Sequence, residues 1–263
     1  MISLFRRTRR WLLNQNKFGR YLLYAIGEVI LIVIGILIAL GINNWNQRRI
    51  TQEREQFYLA GLKEEFLQSR IKLENLIQVN RLNYEGARKI ADYINGPGQR
   101  PGERELSGLL FNSLSYEIDY NPNNSLLNEL INSGRLKDFS NAQLGKNLTS
   151  WESYIQSVHR QESDLREQRE KMLDFLRKEQ NSIRNILDET GVSDEIGLEQ
   201  SADDHSNLGI LDSGEFENNL LIYILTGMRT ETSQYLPLLE EIDRILVLID
   251  SGLENNDGEI NFN

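Results

Sequence analysis

The residue in this chain that most invites chemistry is an acid in an oily place. Glu28 is the one charged residue in Tyr21 to Ile42, YLLYAIGEVILIVIGILIALGI. A carboxylate in hydrocarbon costs a few kcal/mol, so such a group carries a proton, reaches water or contacts another helix. At helical spacing Glu28 shares a face with Gly35, Ala39 and Ile42, and Tyr24 lies one turn before it. Gly35 and Ala39 form a small-xxx-small pair that lets two helices approach closely. Tyr24, Glu28, Gly35 and Ala39 are therefore the candidate intramembrane helix contact. A proton-carrying Glu28 is the alternative, since a single-pass layout with one intramembrane acid resembles the peptidoglycan-side subunits of proton-driven stators, although no matching periplasmic motif is present.

Other candidates are weaker. Asp203, Asp204 and His205 stand together, but His159 is the only other histidine and no ligand pair falls at helical spacing, so no metal site is expected. Asn255, Asp257 and Gly258 imitate part of a calcium loop, yet Leu253 occupies the first ligand position and a twelfth is lacking. There is no glycine-rich phosphate loop, nucleophile elbow or triad, and Glu240 and Glu241 read as ordinary helical surface. Cysteine is absent, which removes disulfides, thiolate metal sites and a lipoprotein anchor. The expectation is a protein that is not an enzyme and holds no cofactor and no metal.

The apolar run has about the length that crosses a bilayer as one helix. Arg6, Arg7, Arg9, Arg10, Lys17 and Arg20 precede it without any acid, whereas the other flank soon turns acidic at Glu53 and Glu55. The positive-inside rule keeps that basic N-terminal side in the cytoplasm and exports the rest. Ile2, Phe5, Trp11, Leu12 and Leu13 alternate with the arginines as in a short amphipathic helix on anionic headgroups, making the six basic residues a membrane-surface patch. Tyr21 and Tyr24 on one side and Trp45 on the other suit the aromatic belts. A cleavable signal peptide, with small residues at Ala39-Leu40-Gly41, is the rival reading; the run is long for a signal core and contains an acid. Eight Lys and Arg against one acid give residues 1–50 a charge of +7, which leaves −17 of the whole chain's −10 to residues 51–263. So acidic a domain repels phosphate backbones, which argues against nucleic acid as a partner.

Lys17 to Arg49, KFGRYLLYAIGEVILIVIGILIALGINNWNQRR, resembles the signature of an uncharacterised, domain-of-unknown-function family of single-pass membrane proteins of Bacteroidota. Gln47 replaces the acid usual after Trp45-Asn46 in that signature. Ser125 to Leu148, SLLNELINSGRLKDFSNAQLGKNL, is similar to a second segment of the same family. The resemblance implies an inner-membrane protein of a Gram-negative cell and no particular activity.

The exported part reads as helical throughout. Leu62, Phe66, Leu73, Leu76, Ala87, Ile90 and Ile94 mark an amphipathic helix over 46–95, interrupted by Ser69, Asn80 and Asn83 and ended by the NGPGQRPGE turn. Shorter helices follow around 106–114 and over 125–132, the latter capped by Gly134. A capping box at Ser140 opens a heptad helix over 141–188 through Leu144, Leu148, Trp151, Ile155, Val158, Leu165, Met172, Leu176, Ile183 and Ile186, if Glu162, Arg169 and Glu179 are accepted at seam positions. That polar distal half reads as a thinly packed stalk, a solvated hairpin or a contact site. After an acidic connection, a last helix over 215–251 is kinked by Pro237 and ended by Gly252.

The expected fold class is all-α: one transmembrane helix, then an extracytoplasmic antiparallel bundle with long coiled-coil-like helices, the two short helices bridging one end. The expected segments are a basic cytoplasmic 1–20, a transmembrane 21–43, a periplasmic bundle 44–252 and a flexible tail 253–263. The favoured function is a non-enzymatic scaffold of the bacterial inner membrane whose partners are membrane lipids and either a second copy or another envelope membrane protein. The alternatives are a periplasmic ligand sensor and a proton-linked accessory subunit.

Overall fold

The computed structural model describes residues 17–96, 98, 100–202 and 205–260. Arg6, Arg7, Arg9, Arg10, Asp203 and Asp204 lie outside the described residues, as do the side chains of Lys17, Arg20 and Tyr24. The described residues are helical with no strand, so the fold is all-α. The chain divides into two units, residues 1–56 and 57–263, and the first helix, α1 (Lys17–Asn95), contributes to both.

In the first unit α1 is a proline-free helix whose apolar side chains from Val29 to Ile42 are exposed. Past the apolar run, the Thr51 hydroxyl donates to the Gln47 carbonyl at 3.0 Å and Arg49 lies over the Trp45 ring at 5.6 Å.

The second unit is an up-down-up-down arrangement of four columns around one core. The first column is α1 from residue 57 onward, with Leu59, Leu62, Phe66, Leu73, Ala87 and Ile90 buried along one stripe, as amphipathic spacing requires. The second descends beside it and is only partly helical: α2 (Glu103–Leu114), an extended stretch through residues 115–124, and α3 (Ser125–Asn132). Its register follows from Tyr93 to Glu105, Asn83 to Tyr116, Ser69 to Asn123 and Glu65 to Leu126. The two short helices therefore run along the length of α1 and do not bridge one end of the bundle. What holds the extended stretch is a set of bonds from other columns in place of its own helical ladder.

The third column is α4 (Ala142–Leu176). Asn141, one residue after the expected Ser140, is its N-cap, with the side chain accepting from the amides of Gln143 and Leu144. The seam from Leu144 through Leu176 is buried as the heptads demand, save for the half-buried Arg169. The helix does not continue to residue 188. Asn207 accepts from the Ser182 amide at 2.8 Å and donates to the Ser182 carbonyl at 2.9 Å, which fixes a turn there. Ser182 then caps a separate α5 (Ile183–Thr190) by accepting from the Asn185 amide. A single turn, α6 (Val192–Glu195), and a 3₁₀ turn at Leu208–Asp212 lead to the fourth column. Glu103 ties this end together, accepting from the Asn185 side chain, the Ser206 hydroxyl and the Asn207 amide.

The fourth column is α7 (Gly214–Thr230), a π turn at Glu231–Tyr235 and α8 (Leu236–Ile260). Pro237 cannot donate to a carbonyl four residues back, and the chain widens just before it, the Leu236 amide bonding to the Glu231 carbonyl. The expected kink is thus a π turn. Gly252 does not end α8. A Cβ there would meet the Leu59 side chain at 3.0 Å, so the glycine serves close approach of α8 to α1.

Candidate functional site

The centre of the bundle is polar at one level. Glu162, at an a/d position of α4, is 1% exposed. Its Oε1 accepts from the Tyr235 hydroxyl at 2.6 Å and from the Tyr120 amide at 3.0 Å. Its Oε2 is buried without a hydrogen-bond partner among the described protein atoms. Tyr120 in turn donates its hydroxyl to the Ser69 carbonyl at 3.0 Å, and the Ser69 hydroxyl accepts from the Asn123 amide. His159, one turn before Glu162, sets Nε2 3.0 Å from the Tyr120 carbonyl, where it acts as donor. One carboxyl group thus joins α4, the extended stretch and the π turn, and Tyr120 carries the link on to α1.

Electrostatics at this level are dominated by burial. Removal from water pushes the Glu162 carboxyl above its ordinary range, against the opposing effect of its two hydrogen bonds. Burial likewise pushes up the Tyr120 and Tyr235 phenols, and the neighbouring Glu162 adds to both shifts. The nearby cations are engaged elsewhere: Arg166 pairs with Glu117 and Asp119, and Arg169 donates to the Leu114 carbonyl at 2.8 Å.

A second buried acid begins the π turn. Glu231 pairs with Arg81 and accepts from the Tyr84 hydroxyl at 2.9 Å. Beside it the Asn80 side chain donates to the Gly227 carbonyl at 2.9 Å, and a Cβ on Gly227 would meet Tyr84 at 3.1 Å. The π turn is therefore bracketed by two buried glutamates, one paired with a cation and one not. Asn80 and Ser69, which interrupt the apolar pattern of α1, are the residues that make these inter-column bonds.

The residues singled out from the sequence fall elsewhere. Glu28, Gly35 and Ala39 are exposed on the membrane-length part of α1, and a Cβ on Gly35 would touch nothing within 4 Å. His205 bonds to the Gln180 carbonyl at 3.0 Å. No cluster of three metal-ligating side chains occurs among the described residues. Arg169 and Glu162, expected to thin the packing of the α4 seam, are instead bonded inside the bundle. Glu179 lies exposed beyond the end of α4. Glu162 could have been marked from the sequence as an acid at a heptad seam position, but Tyr120 and Tyr235 carry no local signal.

Residues 28–158 match a family of unknown function (DUF6090). The matched segment starts at Glu28 and ends at Val158, so it takes in most of the membrane-length helix, the first two columns and half of α4. It contains the Ser125 to Leu148 stretch and stops before Glu162 and the fourth column. No curated protein and no solved structure matches the chain. Among the described residues, one helix is long and apolar enough to cross a membrane.

Proposed function

We propose that this protein is a non-enzymatic helical scaffold anchored in the inner membrane of a Gram-negative cell of the Bacteroidota, with its bundle in the periplasm. The observation that carries the reading is the contrast between its two units. One is an apolar helix none of whose most hydrophobic window is buried by protein, and the other is a bundle whose buried polar groups are largely bonded within it. The basic residues before the span keep that side in the cytoplasm, and the acidic remainder is exported. Glu28, Gly35 and Ala39 form the face through which the helix meets a second copy or another envelope membrane protein. Glu28 is better accommodated against such a neighbour than against lipid.

The absence of cysteine makes the test clean. Single cysteines at Gly35 and Ala39 are compared with one at Leu37, on the opposite side of the helix, by oxidation and photo-crosslinking in native membranes. Crosslinks to a second copy or to a defined membrane protein from 35 and 39, with little from 37, are expected. Equal yields from all three positions would contradict the assigned face, and no crosslink from any would contradict the scaffold reading.

A further inference from the structure

The Glu162 carboxyl is buried with one oxygen accepting two hydrogen bonds and the other without a partner among the described residues. An ionised carboxylate left this way is expensive in a protein interior, and burial is tolerated when the charge is paired or neutralised. Among the described residues no Lys or Arg pairs with it: Arg166 and Arg169 on the same helix are committed to Glu117, Asp119 and the Leu114 carbonyl. From the second column it is faced by Asp119, which disfavours a second negative charge, and by Tyr120. From its own helix His159, with its Nε2 lying against the Tyr120 carbonyl, opposes that effect and outweighs it, and burial outweighs both. From the fourth column it is faced by the Tyr235 phenol, while Glu231 is already held by Arg81 and Tyr84 of α1. From α1 the nearest link is the uncharged Ser69, with Glu65 turned to the α3 amides and Lys72 to Asn121 and Asn123. For an almost inaccessible oxygen without a donor beside it, a bound proton removes the charge and leaves the smaller cost of a buried neutral carboxyl.

We propose that Glu162 is a proton-binding site, and that the proton on Oε2 locks the extended stretch 115–124 and the π turn against α4. When the proton leaves, the bare carboxylate draws water into the joint, and the stretch bearing Tyr120, which has no helical ladder of its own, is the first part to open. The sign follows from burial. With the folded-state pKa above the unfolded one, the lock is complete at acid pH. It weakens as pH rises through the window between the two values, where only the unfolded chain has already lost its proton.

The test uses the full-length protein in lipid nanodiscs, titrated from about pH 5 to 9, the range over which buried glutamates are known to ionise. Infrared spectroscopy reads the carbonyl stretch of protonated carboxylic acids, and hydrogen exchange, corrected for intrinsic base catalysis, reads protection of the Tyr120 amide. The expected result is an acid band that outlasts those of the surface carboxylates and is missing in Glu162→Gln. Tyr120 protection should fall over the pH range below that band's loss, by about tenfold in all for each unit by which the folded pKa exceeds the unfolded one, and level off once the band has gone. Glu162→Gln should keep Tyr120 protected at alkaline pH. A band that vanishes together with the surface acids, or Tyr120 protection that stays constant over the pH range below the band's disappearance, overturns the proposal. If Glu162→Gln does not fold, these two wild-type readings decide it alone.

Discussion

Replacing Trp151 tests the least regular part of the bundle, the half-helical second column. The indole is 1% exposed, packs edge-on against Phe66 at 5.0 Å between centroids, and donates from Nε1 to the Asn124 side chain at 2.9 Å. That bond occupies the N-cap side chain of α3, so the α3 amides of Leu126 and Leu127 are capped by Glu65 from α1 instead. Trp151→Ala removes a large buried ring, at a cost of about 3–5 kcal/mol. Trp151→Phe keeps most of the ring and leaves the half-buried Asn124 oxygen to water, at a cost of about 1 kcal/mol. Against a total stability of about 5–15 kcal/mol, the alanine variant loses a large share and the phenylalanine variant little. Denaturant unfolding followed by far-ultraviolet circular dichroism measures both without relying on tryptophan emission. Hydrogen exchange should show the loss first in residues 121–132. An alanine cost within about 0.5 kcal/mol, the range of ordinary surface changes, would refute the placement of Trp151.

Two glycines of α1 should respond differently to alanine. At Gly61 an added Cβ meets the terminal methyl of Leu126 at 2.5 Å, which can swing aside, so Gly61→Ala should be neutral or should gain up to about 1 kcal/mol of helix propensity. At Gly86 the Cβ meets the Ser113 hydroxyl at 2.6 Å, and that buried hydroxyl is already donating to the Leu109 carbonyl. Gly86→Ala should therefore be less stable than Gly61→Ala by about 1–2 kcal/mol in thermal unfolding, and equal effects would place the α1–α2 contact elsewhere.

The parts of the fold legible in the sequence are those written in local periodicity. The α4 seam from Leu144 to Leu176, the α3 boundaries and the left-handed Gly134 after them follow from spacing and turn chemistry. The parts that were not legible depend on residues far apart in the chain. The end of α4 is set by Asn207 holding Ser182, and a heptad count has no access to that partner. Residues 115–124 pack Ile118 and Tyr120 inward at a spacing of two, and their bonds come from Ser69, Glu162 and His159 on other columns. Pro237 announces a disturbance, but that it becomes a π turn delivering Tyr235 to Glu162 depends on the packing of α7 and α8 against α4. Glu162 looks like a flaw in a heptad until Tyr120 and Tyr235 arrive beside it.

Membrane-sided labelling tests the central claim, a single membrane helix that holds the bundle on the side opposite the basic N-terminal segment. Because the chain has no cysteine, one cysteine at the exposed Glu152 of α4 can be probed with a membrane-impermeant maleimide in intact spheroplasts, beside a second variant at Thr8. Glu152→Cys is expected to be labelled without disrupting the membrane and Thr8→Cys only after disruption. The reverse pattern, or labelling of both in intact spheroplasts, would contradict this topology.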